Sequence, residues 1–259
     1  MSSQVEKAQS LAQLHAAPEI LRVVNVWDAV STKTIAALDE TRAIATAGHS
    51  IAATFGYGDG EKIPLELMLD MVGRIVDAAG DLPVTADLDA GYGDAGETVR
   101  RAIGKGIVGA NVEDRLRPLD ESVAAVEAII AAGQAEGVPF VLNARTDAFV
   151  RAGDRPVEAS IADAIERGRA YLAAGADLVF VPGKLDADVT RRLVVGLGER
   201  KLSVIGVPGA LTAAEYEALG VARISYGPTT QRVALTALQD VAADLYRDGV
   251  IPASTRTLN

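Results

Sequence analysis

Cysteine is absent from the 259-residue chain, which excludes a disulfide framework, a thiolate metal site and a cysteine nucleophile. Histidine occurs only twice, so a clustered imidazole site is excluded too. Nor is there a basic excess: 25 Lys and Arg stand against 35 Asp and Glu, a formal charge of -10. Such a surface repels phosphate backbones and argues against nucleic-acid partners, leaving room only for a small anion in a local basic pocket. No apolar run approaches the roughly 18 to 20 residues that span a bilayer. Residues 1–20 carry Glu and Gln among Ala and Leu and lack the basic-then-apolar order of a signal peptide. A soluble, cytoplasmic protein with no membrane partner is the expectation. Neither a Walker loop nor a dinucleotide fingerprint is present.

What the chain does have is 49% hydrophobic and 23% charged residues, the composition of a compact enzyme rather than a disordered or collagen-like chain. Short β-type runs alternate with longer Ala-rich stretches whose apolar residues recur at helical spacing. Eight runs are read, at residues 23–27, 43–47, 84–88, 109–113, 140–145, 178–181, 203–207 and 223–225. Helices are predicted over 65–79, 122–135, 159–174 and 213–219, with Gly137, Gly175 and Gly220 placed where the chain turns toward the next run. Most runs are almost continuously apolar, as strands covered on both faces are. Eight parallel strands with right-handed crossovers close most simply into an α/β fold of the (β/α)8 TIM-barrel type, which routinely uses about 250 residues. A doubly wound open sheet competes, but its Gly-rich loop after the first strand is replaced here by Val26-Trp27-Asp28-Ala29-Val30. No linker or charge block divides the chain, so residues 1–259 read as a single domain. Additional C-terminal helices are expected within about 230–259, with residues 230–248 reading as one or two amphipathic helices that cap the barrel or pack on a neighbouring subunit.

In a barrel the C-terminal ends of the strands carry the chemistry, and here those ends are acidic. The third run leads into Asp87-Leu88-Asp89-Ala90-Gly91-Tyr92-Gly93, with two carboxylates at period two and so on one face. The fourth ends Asn111-Val112-Glu113-Asp114-Arg115 and the fifth Asn143-Ala144-Arg145-Thr146-Asp147. Neighbouring strands thus bring Asp87, Asp89, Glu113 and Arg145 to one rim. Carboxylates crowded into a partly buried site repel one another unless protons or a cation compensate. An oxygen-only donor set favours a hard ion, Mg2+ with retained waters, with Mn2+ as a substitute. Any one of these acids alone would read as a loop cap or a surface ion pair. Three successive acidic strand ends argue against that.

In this order and spacing, these residues resemble the isocitrate lyase and phosphoenolpyruvate mutase superfamily. The resemblance runs from about residue 25 to 226 and also takes in Asn25-Val26-Trp27-Asp28-Ala29 and Ala43-Ile44-Ala45-Thr46-Ala47-Gly48. It implies an α/β barrel whose Mg2+ contacts a 2-oxo acid or related carboxylate. By resemblance, Asp87, Asp89 and Glu113 hold the ion, partly through water, and Asp59 belongs to the same shell. Arg145 matches an arginine that reaches the substrate, and Ala47, Gly48 and His49 match the loop that binds a substrate carboxylate. Members are often tetramers with exchanged C-terminal helices, which implies a homo-oligomer here, a dimer or tetramer, and a use for the last segment.

A hard metal beside an arginine suits cleavage of a carbon-carbon bond that leaves an enolate, with a small anionic carboxylate as substrate. Departures from the family pattern narrow the reaction. The Lys-Lys-Cys-Gly-His segment of isocitrate and methylisocitrate lyases is missing, Ala47 stands where a serine is expected, and the long gating loop of the mutases gives way to a short run from Glu113 into a helix. A Mg2+-dependent lyase or decarboxylase acting on an oxaloacetate-like or substituted malate-like acid is the preferred reading. Phosphorus-carbon chemistry and a catalytically silent carboxylate-binding member are the alternatives. His49, an imidazole just after the second run, and Tyr57, in a glycine-flanked loop, join Arg145 as candidate catalytic groups. Tyr92 is in a similar loop, and Trp27 is a candidate pocket wall. Arg115 and Arg117 are candidates for a positive lid. Lys184 invites a Schiff-base reading that the carboxylate cluster makes unnecessary.

Overall fold

The computed structural model of the chain describes residues 2–258. α1 (Gln4–Ala16) begins with a capping box between Ser3 and Glu6. It lies against the N-terminal mouth of the sheet, where Leu11 approaches Gly109; a Cβ on that glycine would sit 2.7 Å from the Val141 carbonyl oxygen and 2.9 Å from the Leu11 side chain. β1 (Leu21–Val23) and β2 (Asn25–Val26) are two halves of one strand interrupted at Val24. The other strands are β3 (Ile44–Thr46), β4 (Val84–Asp87), β5 (Gly109–Glu113), β6 (Val141–Arg145), β7 (Leu178–Phe180), β8 (Leu202–Ile205) and β9 (Arg223–Ser225).

Every pairing is parallel, in the order β1-β9-β8-β7-β6-β5-β4-β3-β2. The split strand closes the circle, because Leu21 of β1 pairs with Arg223 of β9 while Asn25 of β2 pairs with Ala45 of β3. An eight-stranded barrel results, and the open sheet is overturned. Trp27 falls just outside the first strand, since Asp28 breaks off to cap α2 (Ala29–Ala36) by accepting the Ser31 N–H.

α3 (Gly48–Thr54) follows β3 directly. α4 (Leu65–Ala79), α6 (Leu119–Ala135), α7 (Val157–Ala173) and α9 (Ala213–Ala218) lie where helical spacing puts them. Pro64, Pro118 and Pro156 immediately precede α4, α6 and α7, where a residue without an N–H costs the helix nothing. α5 (Ala95–Ile103) and α8 (Ala187–Leu197) complete the shell, each capped by an Asp side chain.

The C-terminal segment is helical where residues 230–248 read as one or two helices: α10 (Thr229–Asp248) is one helix, it stops at the left-handed Gly249, and no helix follows among the described residues, where Pro252 comes next. Asn259 lies outside them. No helix among the described residues is long and apolar enough to cross a membrane.

The barrel interior is polar where it supports the rim. Asn143 donates through Nδ2 to Asn111 Oδ1 at 2.8 Å and to Ser203 Oγ at 3.2 Å. Asn25 Nδ2 donates to the Thr46 carbonyl, and its Oδ1 accepts from the backbone N–H groups of Tyr226 and Gly227. One side chain thereby ties the closing strand to β3 and to the entry of α10.

Candidate active site

Beyond Asp87 the chain turns through left-handed residues at Asp89 (φ 50°), Gly91 (92°), Tyr92 (52°) and Gly93 (88°). Gly91 is required, because a Cβ there would lie 2.6 Å from Ala95 Cα. Asp89 and Tyr92 adopt that region while carrying side chains, at about 1 kcal/mol or more each. Glu61, Arg115 and Leu116 do the same, so five of the six non-glycine residues with positive φ among the described residues belong to the loops of this rim. Strain gathered in one place marks a functional site. Glu61 staples the loops together: its Oε1 accepts the N–H of Ala90 at 3.1 Å and of Tyr92 at 2.7 Å, and its Oε2 pairs with Arg115 Nη1 at 3.0 Å.

Charges alternate along the rim. Glu113 Oε1 meets Arg115 Nε at 3.0 Å and its Oε2 meets Arg145 Nη1 at 2.7 Å. Arg145 Nε then pairs with Asp147 Oδ1, and Arg151 Nε with Asp147 Oδ2, both at 2.8 Å. Asp87 sits in its own cradle, its Oδ2 accepting the Gly48 N–H at 2.9 Å. Across the cavity, His49 Nδ1 lies 3.4 Å from Asp59 Oδ2.

This crowding leaves negative charge uncompensated. Burial, then the charges of Asp87, Glu113 and Asp59, pushes Asp89 up to about 8. Burial also raises Asp87 against the pull of Arg145 and the Gly48 N–H, and raises Glu113 despite Arg145 and Arg115. The Tyr92 phenol is raised by burial and by Asp89 beside it.

The four expected metal-site acids, Asp59, Asp87, Asp89 and Glu113, line a single cavity of about 770 Å³ together with His49 and Arg145. Trp27, Ala47, Gly48 and Tyr57 are not on its wall. Gly48 reaches the site through its N–H, Ala47 precedes α3, Trp27 packs against the core, and Tyr57 is exposed. Lys184 is also exposed and off the wall. Arg117 turns away, its Nε on the Asp114 carbonyl. Asp114 is structural, accepting from the Tyr171 hydroxyl at 2.7 Å and from the N–H groups of Leu116 and Asp147. Sequence reasoning missed Glu61, Arg151 and Arg232.

Among the described residues, no three acidic or imidazole groups converge tightly enough to enclose an ion by themselves. Mg2+ does not ask for that, since it is commonly bound through one or two carboxylates and keeps several waters. Asp87 and Asp89 provide the carboxylates, Glu113 is clamped between two guanidinium groups, and the raised pKa values record the charge a cation would relieve. The residues therefore fit the ion.

The phosphoenolpyruvate phosphomutase family profile matches residues 11–246. The chain is 31% identical over 243 residues to an oxaloacetate decarboxylase of Rhodopseudomonas palustris (strain HaA2), covering 90% of this chain and 82% of that one. Its structure is similar to that of a Burkholderia cenocepacia J2315 protein provisionally described as a phosphonomutase, with a TM-score of 0.86 and 38% identity over 92% of this chain and 99% of that one. It is also similar to a phosphonopyruvate hydrolase in complex with oxalate and Mg2+, with a TM-score of 0.81 and 25% identity over 97% and 92% of the two chains. With the profile spanning nearly the whole barrel and the acidic strand ends in place, the chain belongs to the phosphoenolpyruvate phosphomutase family of the PEP mutase/isocitrate lyase superfamily.

Proposed function

We propose that the chain is a Mg2+-dependent carbon-carbon lyase or decarboxylase acting on a small 2-oxo or 2-hydroxy carboxylic acid. The observation that carries this reading is the set of buried carboxylates whose pKa values are raised, Asp87, Asp89 and Glu113, facing one cavity beside Arg145. The oxaloacetate decarboxylase relative and the hydrolase complexed with oxalate and Mg2+ support it. Asp87 and Asp89 would hold the ion, with Glu113 and Asp59 acting through its waters. A bound Mg2+ would supply Lewis-acid stabilisation of the negative charge that develops on the substrate oxygen beside the breaking bond.

The chain's own groups do the rest. Arg145 is oriented by Glu113 and Asp147, so its guanidinium is ready to grip an anionic end without first losing rotamer freedom. His49 faces Asp59 through Nδ1, which leaves Nε2 to deliver a proton to the carbon that keeps the electron pair. For oxaloacetate this balances as cleavage of the C3–C4 bond, release of carbon dioxide and uptake of one proton at C3. A homo-oligomer belongs to the same proposal: α10 buries only Gln231 and exposes Leu235, Leu238 and Tyr246 along one side, a face that a second copy would cover.

The test is a screen of 2-oxo and 2-hydroxy di- and tricarboxylates, with oxaloacetate and phosphonopyruvate included, followed by proton and phosphorus NMR with Mg2+ or EDTA. EDTA-sensitive release of pyruvate or another cleavage product is the expected result. A new phosphorus signal from phosphonopyruvate alone would replace this reading with phosphorus-carbon chemistry. Saturable binding without any product would make the chain a silent carboxylate binder.

A further inference from the structure

The turn that carries Asp89 is held from outside itself. Its left-handed residues Asp89, Gly91, Tyr92 and Gly93 keep that costly shape only while their polar backbone has fixed partners. The N–H groups of Ala90 and Tyr92 both go to one atom, Glu61 Oε1, at 3.1 and 2.7 Å. A carboxylate acceptor makes each bond stronger than an amide–amide pair.

Glu61 belongs to a different segment of the rim. It follows residues 53–60, every one of them exposed and Asp59 among them, and Ile63 beyond it is buried. The Glu61 backbone is left-handed at φ 66°, yet its side chain is only 17% exposed. One buried carboxylate thus joins the loop of Asp59 to the turn of Asp89. Its other oxygen pairs with Arg115 Nη1, whose Nε meets Glu113, both at 3.0 Å. Arg115, expected as part of a positive lid, is therefore bound down within the rim. Glu61 itself is not on the cavity wall, and its charge works against the ionisation of Asp89. Position, not charge, accounts for a carboxylate at this point.

We propose that Glu61 is a positioning residue that sets the affinity of the site for Mg2+ by fixing the 89–93 turn through the Ala90 and Tyr92 N–H groups. This rests on the lyase reading for the ion, and goes beyond it by giving a role to a side chain that touches neither ion nor substrate.

Calorimetric titration of Mg2+ into the intact chain, Glu61→Gln and Glu61→Asp separates position from charge. Glutamine keeps an acceptor oxygen at the same reach without the charge, whereas aspartate keeps the charge and is one methylene too short to hold both N–H groups. Glu61→Gln should bind Mg2+ within about threefold of the intact chain, the worth of the lost Arg115 pair. Binding in Glu61→Asp should be weaker by about tenfold or more, the worth of a charged hydrogen bond. Amide hydrogen exchange in EDTA reads the turn without the ion: Ala90 and Tyr92 should stay protected in the intact chain and in Glu61→Gln, and exchange faster in Glu61→Asp. Unchanged Mg2+ affinity in Glu61→Asp, equal exchange in all three proteins, or Glu61→Gln as the weaker binder overturns the inference. If the intact chain binds no Mg2+ while protection still follows the acceptor, the lyase reading falls and the step from turn to ion falls with it, whereas the anchoring of the turn by Glu61 stands.

Discussion

At the C-terminal mouth of the barrel, Asp87, Asp89 and Glu113 face a cavity and are laced to arginines; at the N-terminal mouth, His15 and Arg223 are 4% and 1% exposed, with no hydrogen-bond partner on either imidazole nitrogen or on any guanidinium nitrogen. Burial first, then the nearby charges of Arg223, Arg200 and Lys201, holds His15 well below its ordinary value, so it stays neutral. Burial lowers Arg223 to about 10 while Asp87 pulls the other way, so it stays charged at neutral pH. Both mouths carry an electrostatic cost. At the rim a cation and a substrate entering the cavity can relieve it, and at the other mouth neither group touches that cavity. On the proposed function, the difference separates a site that exchanges stability for chemistry from one that only bears a cost.

The sharpest way to break this comparison is Asp87→Asn. On the proposed function, turnover should fall by about 10³-fold or more, because removing the charge would weaken the hold on a Mg2+ ion whose Lewis acidity is worth several kcal/mol in the transition state. The thermal midpoint in EDTA should rise by about 2–4 °C, because a buried charge without full compensation is gone. Steady-state kinetics and calorimetry check the two halves. A lower midpoint together with retained turnover would mean that the rim acids are structural.

A smaller effect should appear in the pH dependence. Asp89 is raised to about 8 in the folded chain, against roughly 4 when unfolded. Between those values the folded state holds more protons than the unfolded one, so stability falls as pH rises through the window. Midpoints measured in EDTA should drop by about 5 °C from pH 5.5 to 8.5, and Mg2+ should flatten that slope. A slope unaffected by Mg2+ would separate Asp89 from the ion.

Much of the rim was legible because its signals are local. Asp87 and Asp89 share a face through a period of two, Glu113 and Arg145 end apolar runs, and Gly91 and Gly93 mark a left-handed turn. Glu61 was not, since its partners Ala90 and Tyr92 lie 29 and 31 residues away and meet it only once both loops have folded. Arg232 needed ring closure through β1 and β9, which no local pattern encodes. Tyr57 shows the converse: glycine on either side announces a loop but not the direction in which its aromatic points. The break at Val24 and the capping of α2 by Asp28 likewise depend on which strand each half finds as a neighbour.

His15→Leu sharpens the comparison from the opposite mouth with the smallest effect. In the intact chain the folded state resists protonating His15, whereas the unfolded chain takes up that proton near its ordinary value of about 6.5. Stability should therefore fall as pH drops below that value, by up to about 1.4 kcal/mol per pH unit while the folded imidazole stays neutral. Leucine fills the buried position without titrating, so denaturant midpoints of His15→Leu and the intact chain should diverge more at pH 5 than at pH 8. Oxalate affinity in Mg2+ should stay the same in the two proteins if the mouths are independent. A variant that keeps the full acid slope would place the sensitivity elsewhere. One that loses oxalate affinity would show that Arg223, which feels both His15 and Asp87, couples the two ends of the barrel through its interior.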